Sequence, residues 1–144
     1  VALKTARRRA REIALQALYA WLLGGGEVLE QARALEGWDR CDVQLAENLI
    51  GGVIAGKSEL EARITPFLDR SLASLSPVER AILLIGTYEL AARPETPFKV
   101  VLNEAIELGK SFGGTDGHKF VNGVLEKLAV ELRPGELARA RLTV

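Results

Sequence analysis

Ser76-Pro77-Val78-Glu79-Arg80-Ala81-Ile82-Leu83-Leu84-Ile85-Gly86-Thr87-Tyr88-Glu89-Leu90 is the stretch that decides the fold. Its first four residues put serine at an N-cap, proline at the first helical position and glutamate at the third. A hydroxyl and a carboxylate then meet backbone N–H groups that a helix start leaves without partners. Ala81 to Ile85 follow as an unbroken apolar run. A helix apolar on nearly every side has to be enclosed by others, so this one is expected at the centre of a helical core.

Working outward, Thr96-Pro97 opens a further helix with Val101, Leu102, Ala105, Ile106 and Phe112 facing inward, and Gly113-Gly114 stops it. Thr115 or Asp116 caps the last long helix, in which Phe120, Val121, Val124, Leu125, Leu128 and Leu132 keep the 3.6-residue period until Pro134-Gly135 closes it. Toward the N-terminus, residues 58–68 read as a helix with Leu60, Ile64, Phe67 and Leu68 inward and Pro66 near its boundary. Asp42 opens a segment whose Val43, Leu45, Leu49, Ile50 and Val53 form an apolar stripe, and a short helical piece spans Val28 to Leu35. Residues 4–23 form the first helix, with Ala6, Ala10, Ile13, Ala17 and Trp21 on its apolar side and Gly24 to Gly26 at its end. No alternating strand pattern and no internal repeat occurs. The fold is expected to be all α.

The chain has 144 residues, enough for one hydrophobic core, and its 19 basic residues balance its 19 acidic ones. Any attraction for a polyanion must therefore come from clustered charge. Lys4, Arg7, Arg8, Arg9 and Arg11 make such a cluster, with no acidic residue before Glu12. Cys41, the only cysteine, excludes an internal disulfide and reads as an inert thiol in a reducing compartment. The Arg-rich start followed by Ile13 to Gly26 imitates a secretory signal, but Glu12 and Gln16 interrupt it and no small-residue cleavage site follows. No apolar stretch reaches the roughly 18 residues of a membrane span. The cytoplasm is the expected location.

Gly51-Gly52-Val53-Ile54-Ala55-Gly56-Lys57-Ser58 fits the phosphate-loop pattern G-x-x-x-x-G-K-S. That loop must follow a buried strand, whereas Leu45 and Leu49 before it stand at helical spacing. No second strand ending in aspartate is present to hold magnesium. These glycines are expected to serve close helix packing instead. Zinc-protease, serine-hydrolase and dinucleotide motifs are absent, and His118 is the only histidine. No catalysis, cofactor or metal is expected.

On a helical wheel Lys4, Arg7, Arg8 and Arg11 span an arc of about 100 degrees, with Arg9 to its side and Tyr19 further along nearly the same side. Cations for phosphates beside an aromatic ring for bases are the usual equipment for single-stranded RNA. Solvated faces look similar in sequence, and the basic run alone does not choose between them.

Three segments together choose. ARRRAREIALQALYAW (Ala6 to Trp21), SPVERAILLIGTYEL (Ser76 to Leu90) and PFKVVLNEAIELGKSFGGTDGHKFVNGVLEKLA (Pro97 to Ala129) closely resemble the NusB family of bacterial transcription antitermination factors. Residues 24–42 resemble it only loosely. The resemblance implies about seven helices packed as two subdomains, roughly 1–68 and 69–134. It also implies binding to boxA-type single-stranded RNA in nascent ribosomal RNA leaders. The implied partners are NusE, a small-subunit ribosomal protein, and the RNA polymerase antitermination complex, with a homodimer as a further possibility for the free protein. By the same resemblance Lys4, Arg7, Arg8, Arg11 and Tyr19 match the RNA-binding helix, Asp116, Lys119 and Phe120 match a corner bordering the RNA path, and Phe67 and Glu79 match positions used against NusE. His118 is expected to serve helix capping or packing, and the mid-helix Asn103 and Asn122 to bond neighbouring backbone or loops. The alternative is the detached N-terminal domain of an RNA cytosine methyltransferase, since similar domains precede such enzymes.

Overall fold

A computed structural model describes residues 4–113 and 117–142. Among these residues there is no strand and there are seven helices: α1 (Ala6–Gly24), α2 (Val28–Arg33), α3 (Val43–Ile64), α4 (Pro77–Ala92), α5 (Phe98–Phe112), α6 (Gly117–Leu132) and α7 (Pro134–Leu142). Single 3-10 turns stand at Trp38–Arg40, Thr65–Phe67 and Leu72–Ser74. The all-α expectation is met. The expected cap at Thr115 or Asp116 lies outside the described residues.

α4 is the axis of the fold. At its start the Ser76 hydroxyl accepts from the Glu79 N–H at 3.1 Å while the Glu79 carboxylate accepts from the Ser76 N–H at 3.3 Å, so the capping box read from sequence is present. Every residue from Ala81 to Thr87 is buried, because α4 packs at once on α1, α3, α5 and α6. Each large aliphatic side chain enclosed this way contributes about 1.5–3 kcal/mol of hydrophobic stabilisation. The C-terminal carbonyls of α4 are met by Arg133, whose guanidinium donates to the backbone oxygens of Leu90 (2.7 Å), Arg93 (2.9 Å) and Glu89 (3.1 Å). A cation there satisfies orphan acceptors and faces the negative end of the helix dipole.

One boundary differs from the sequence reading. Residues 43–64 form one continuous helix rather than two segments, since no proline interrupts them and Pro66 falls in the 3-10 turn beyond. α6 ends at Leu132, just before Pro134 as expected, and Pro134 itself occupies the first position of a further short helix, α7, where its missing N–H costs nothing. At the end of α1 the expectation is met: Gly25 adopts φ 71°, donates to Trp21 O at 2.8 Å, and Gly26 continues at φ 98°.

The G-x-x-x-x-G-K-S residues lie inside α3, so they form no phosphate loop. Their packing role belongs to Gly52 alone, where an added Cβ would stand 2.1 Å from the Tyr88 ring of α4. Gly51 has nothing within 4 Å, and Gly56 meets only Leu60 at 3.9 Å. Among the described residues no helix is long and apolar enough to cross a membrane, and no group of three or more potential metal ligands forms.

Candidate nucleic-acid interface

α1 packs against α2, α3, α4 and α5, so more than half of its circumference is enclosed. Ala10, Arg11, Ile13, Ala14, Leu15, Ala17 and Leu18 are all buried. Arg11 stands three residues before Ala14 and four before Leu15, on the same inward side. It is 2% exposed, and its guanidinium makes two 2.9 Å hydrogen bonds to the Glu89 carboxylate of α4, with Glu104 of α5 at 3.8 Å. Burial works against its charge, but the hydrogen bonds and the negative charge of Glu89, followed by Glu104 and Asp42, hold its pKa above the ordinary arginine value. The sequence reading of Arg11 as part of the RNA-facing row is therefore corrected: Arg11 is a buried strut between α1 and α4.

The rest of the row reaches solvent but is not bare. Lys4 pairs with Glu12 at 2.9 Å, Arg8 with Glu104 at 3.0 Å and Arg7 more loosely with Asp42 at 3.7 Å. The three basic side chains are 40–52% exposed. Their carboxylates differ: Asp42 is 33% exposed, so its pair is worth about 0–1 kcal/mol and a phosphate can replace it at little cost, whereas Glu12 and Glu104 are only 13% and 14% exposed and hold Lys4 and Arg8 more firmly. The cationic edge exists, weaker than its sequence suggests.

The solvent face of α1 is carried by Arg9, Glu12, Gln16 and Tyr19, spaced three, four and three residues apart. Two adjoining hollows run along it. The first, about 250 Å³, is lined by Lys4, Arg9, Glu12, Gln16, Arg40 and Phe112 among others. Within the described residues Arg9 and Arg40 have no ion-pair partner. The second, about 390 Å³, is lined by Leu15, Gln16, Tyr19, Leu35, Val78 and Phe112 and is mainly apolar. Gln16 and Phe112 border both, making one trough that is cationic at one end and aromatic at the other.

Arg9, Arg40 and Phe112 were missed as site residues. Phe112 was expected inward from its helical phase, but it is 38% exposed in the last turn of α5, where the core no longer covers it. The spacing of Arg9 with Gln16 and Tyr19 was the available signal. Arg40 had none, since residues 24–42 carry little pattern.

At the far side, Lys119 and Phe120 occupy the first turn of α6, Lys119 exposed and Phe120 half-buried against the core. Asp116 lies outside the described residues. The α5–α6 approach that sets this corner is tight: an added Cβ on Gly109 would stand 2.7 Å from the His118 Cβ, so His118 has the packing role anticipated for it. Asn122 donates to Glu126 one turn on, at 3.2 Å. Phe67 is half-buried in the Thr65–Phe67 turn, and Glu79, engaged in the capping box, lies beside Gly117 of α6.

Comparison with known proteins bears on this geometry. The NusB family profile matches residues 8–130. A transcription antitermination protein NusB of Burkholderia mallei is 52% identical over 141 residues, covering 96% of this chain and 97% of that protein; one from Burkholderia thailandensis matches equally. The match runs the length of those proteins, so the likeness is to whole antitermination proteins of this size and does not favour a methyltransferase's leading domain. T. maritima NusB superposes with a TM-score of 0.80 at 32% identity, covering 94% of this chain and 99% of that one. A second structure, described as antitermination factors NusB and NusE in complex with dsRNA, superposes at 0.78 with 26% identity, covering 88% and 97%. With its profile, its relatives and its helical architecture in agreement, the chain belongs to the NusB family, a family of transcription antitermination factors rather than enzymes.

Proposed function

We propose that this protein binds boxA-type single-stranded RNA in nascent ribosomal RNA leader transcripts, in the cytoplasm, together with NusE and within the RNA polymerase antitermination complex. The observation that carries the reading is the α1 trough, which sets Lys4, Arg9 and Arg40 at one end and Tyr19 and Phe112 at the other. A strand laid along it places phosphates over cations and splayed bases over rings, each stacked base worth about 1–3 kcal/mol. Arg7 and Arg8 add exposed cations from the same helix, Lys119 and Phe120 extend the path at the α6 corner, and Asp116 is assigned to that path by the family resemblance alone. Phe67 and Glu79 face the protein partner. On this reading the division at residues 68/69 has a function, since the α1 face comes from one half and the α6 corner from the other. The similar structure holding NusE and RNA supports the pairing of partners.

The test is fluorescence anisotropy of a short labelled boxA-like RNA, offered as a single strand and as a duplex, with this protein alone and with NusE. The single strand is expected to bind more tightly than the duplex, with affinity falling with salt by a log–log slope of about 0.7 per neutralised phosphate, and NusE is expected to tighten it. Equal binding of both forms would remove the single-strand reading. An unchanged affinity on adding NusE would remove the partner.

A further inference from the structure

Arg70 lies on the link between the turns Thr65–Phe67 and Leu72–Ser74, and its guanidinium carbon stands 4.4 Å from the centroid of the Phe120 ring. Phe120 is half-buried and packs against the core, so the face that Arg70 covers is the one the ring presents outward. The same guanidinium donates from Nε to the Asp69 carboxylate at 2.8 Å, and that bond, with the nearby charges of Asp69 and Glu79, raises the Arg70 pKa. Arg70 is thus charged, exposed and set over a ring that lies on the RNA path proposed above.

We propose that in the free protein Arg70 occupies the nucleobase seat on Phe120, and that a base of the bound single strand takes this seat by displacing it. The inference rests on reading the α6 corner as RNA surface. A ring face accepts one planar group at a time, and guanidinium and nucleobase are both planar groups that stack on aromatic rings. The resident is weakly held. Its cation–π contact is exposed, and its carboxylate partner is its own chain neighbour, 72% exposed. A base is the stronger occupant, and the displaced guanidinium keeps its charge beside the strand, where a phosphate can receive it.

Two measurements on the whole protein decide the matter. In the NMR spectrum of the free protein the Arg70 side-chain methylene protons are expected to be shifted upfield by the Phe120 ring, and to lose that shift both in Phe120→Leu and on saturation with a short boxA-like RNA. A shift that survives saturation overturns the proposal. In the second measurement Arg70→Ala is titrated with the same RNA at salt high enough to suppress phosphate contributions. It is expected to bind about two- to fivefold more tightly than the parent protein, and to give no such gain in a Phe120→Leu background. Weaker binding by Arg70→Ala at every salt concentration would make Arg70 a phosphate contact and overturn its role as occupant. Should Phe120→Leu alone leave RNA affinity unchanged, the α6 corner itself falls, and the masking with it.

Discussion

Arg8 and Arg11 lie one turn apart on α1 with the same side chain, and they end in opposite environments. Arg8 is 40% exposed and pairs with Glu104 at the rim of the bundle; Arg11 is 2% exposed and bidentate on Glu89 inside it. Helical spacing tells which residues share a face. It does not tell which way the face points once other helices have packed around it. A charge run on a helix enclosed over more than half its circumference must divide into struts and surface, and only the surface part is free to meet RNA.

The sharpest way to break this contrast is Arg11→Ala. Removing one member of a buried pair leaves the Glu89 carboxylate without its partner, which costs about 3–5 kcal/mol. Denaturant unfolding should show that loss, while Arg7→Ala stays within about 0.5 kcal/mol of the parent protein. The paired replacement Arg11→Met with Glu89→Leu should recover most of the loss, since no charge is then left stranded. A small effect of Arg11→Ala would mean that the strut carries no load.

Neighbouring glycines repeat the contrast at a smaller scale. In α3, Gly52 meets the Tyr88 ring while Gly51 faces open space. Gly52→Ala must push the ring aside and strain its 2.9 Å hydrogen bond to Asn48, for an expected cost of about 1–3 kcal/mol. Gly51→Ala should stabilise the helix by about 0.5–1 kcal/mol. Thermal unfolding of the two variants ought to move in opposite directions.

These pairs mark where the sequence was legible. α4 could be read from its capping box and its unbroken apolar run, because both signals are local. The join of α3 was misread because glycine and proline near residues 51–66 suggested a break that packing against Tyr88 and a short 3-10 turn absorb. At the site, Tyr19 and Arg11 were put on one face by the helical wheel and Phe120 entered only through the resemblance; the wheel misplaced Arg11. Its partner Glu89 was a visible clue: a carboxylate set among the apolar residues of an enclosed helix needs a cation, and α1 carries the nearest supply. Phe112 and Arg40 depend on where separate elements end in space, which no periodicity records.

The surface side of the comparison is sharpened by Arg7→Gln and Arg9→Gln. Arg9 lines the trough and Arg7 lies on the cationic edge of α1, so the salt slope of RNA binding should fall by about 0.7 per substitution with stability nearly unchanged. Arg9 has no carboxylate partner among the described residues, so its loss is expected to cost more affinity than that of Arg7, which must first leave Asp42. Equal losses would show that the exposed ion pairs make no difference to RNA.

The smallest expected effect tests whether the struts respond to acid. Raised well above neutrality, Arg11 keeps its charge at any working pH, so the guanidinium side of that link does not titrate. Glu136 differs. Burial opposes its charge, but the N–H of Phe98, at 2.8 Å, and the Arg133 guanidinium outweigh that and hold its carboxyl below the ordinary value of 4.5. A depressed folded-state pKa contributes stability in full above the unfolded value and loses it as the pH falls through the folded one. Glu136→Gln retains an acceptor for Phe98 but not the charge for Arg133. The stability gap between parent and variant should therefore be largest near neutral pH and close as the pH falls through the depressed folded-state value of the carboxyl. A gap constant across that range would show that Glu136 acts by shape and hydrogen bonding alone, leaving Arg133 to cap α4 without help from charge.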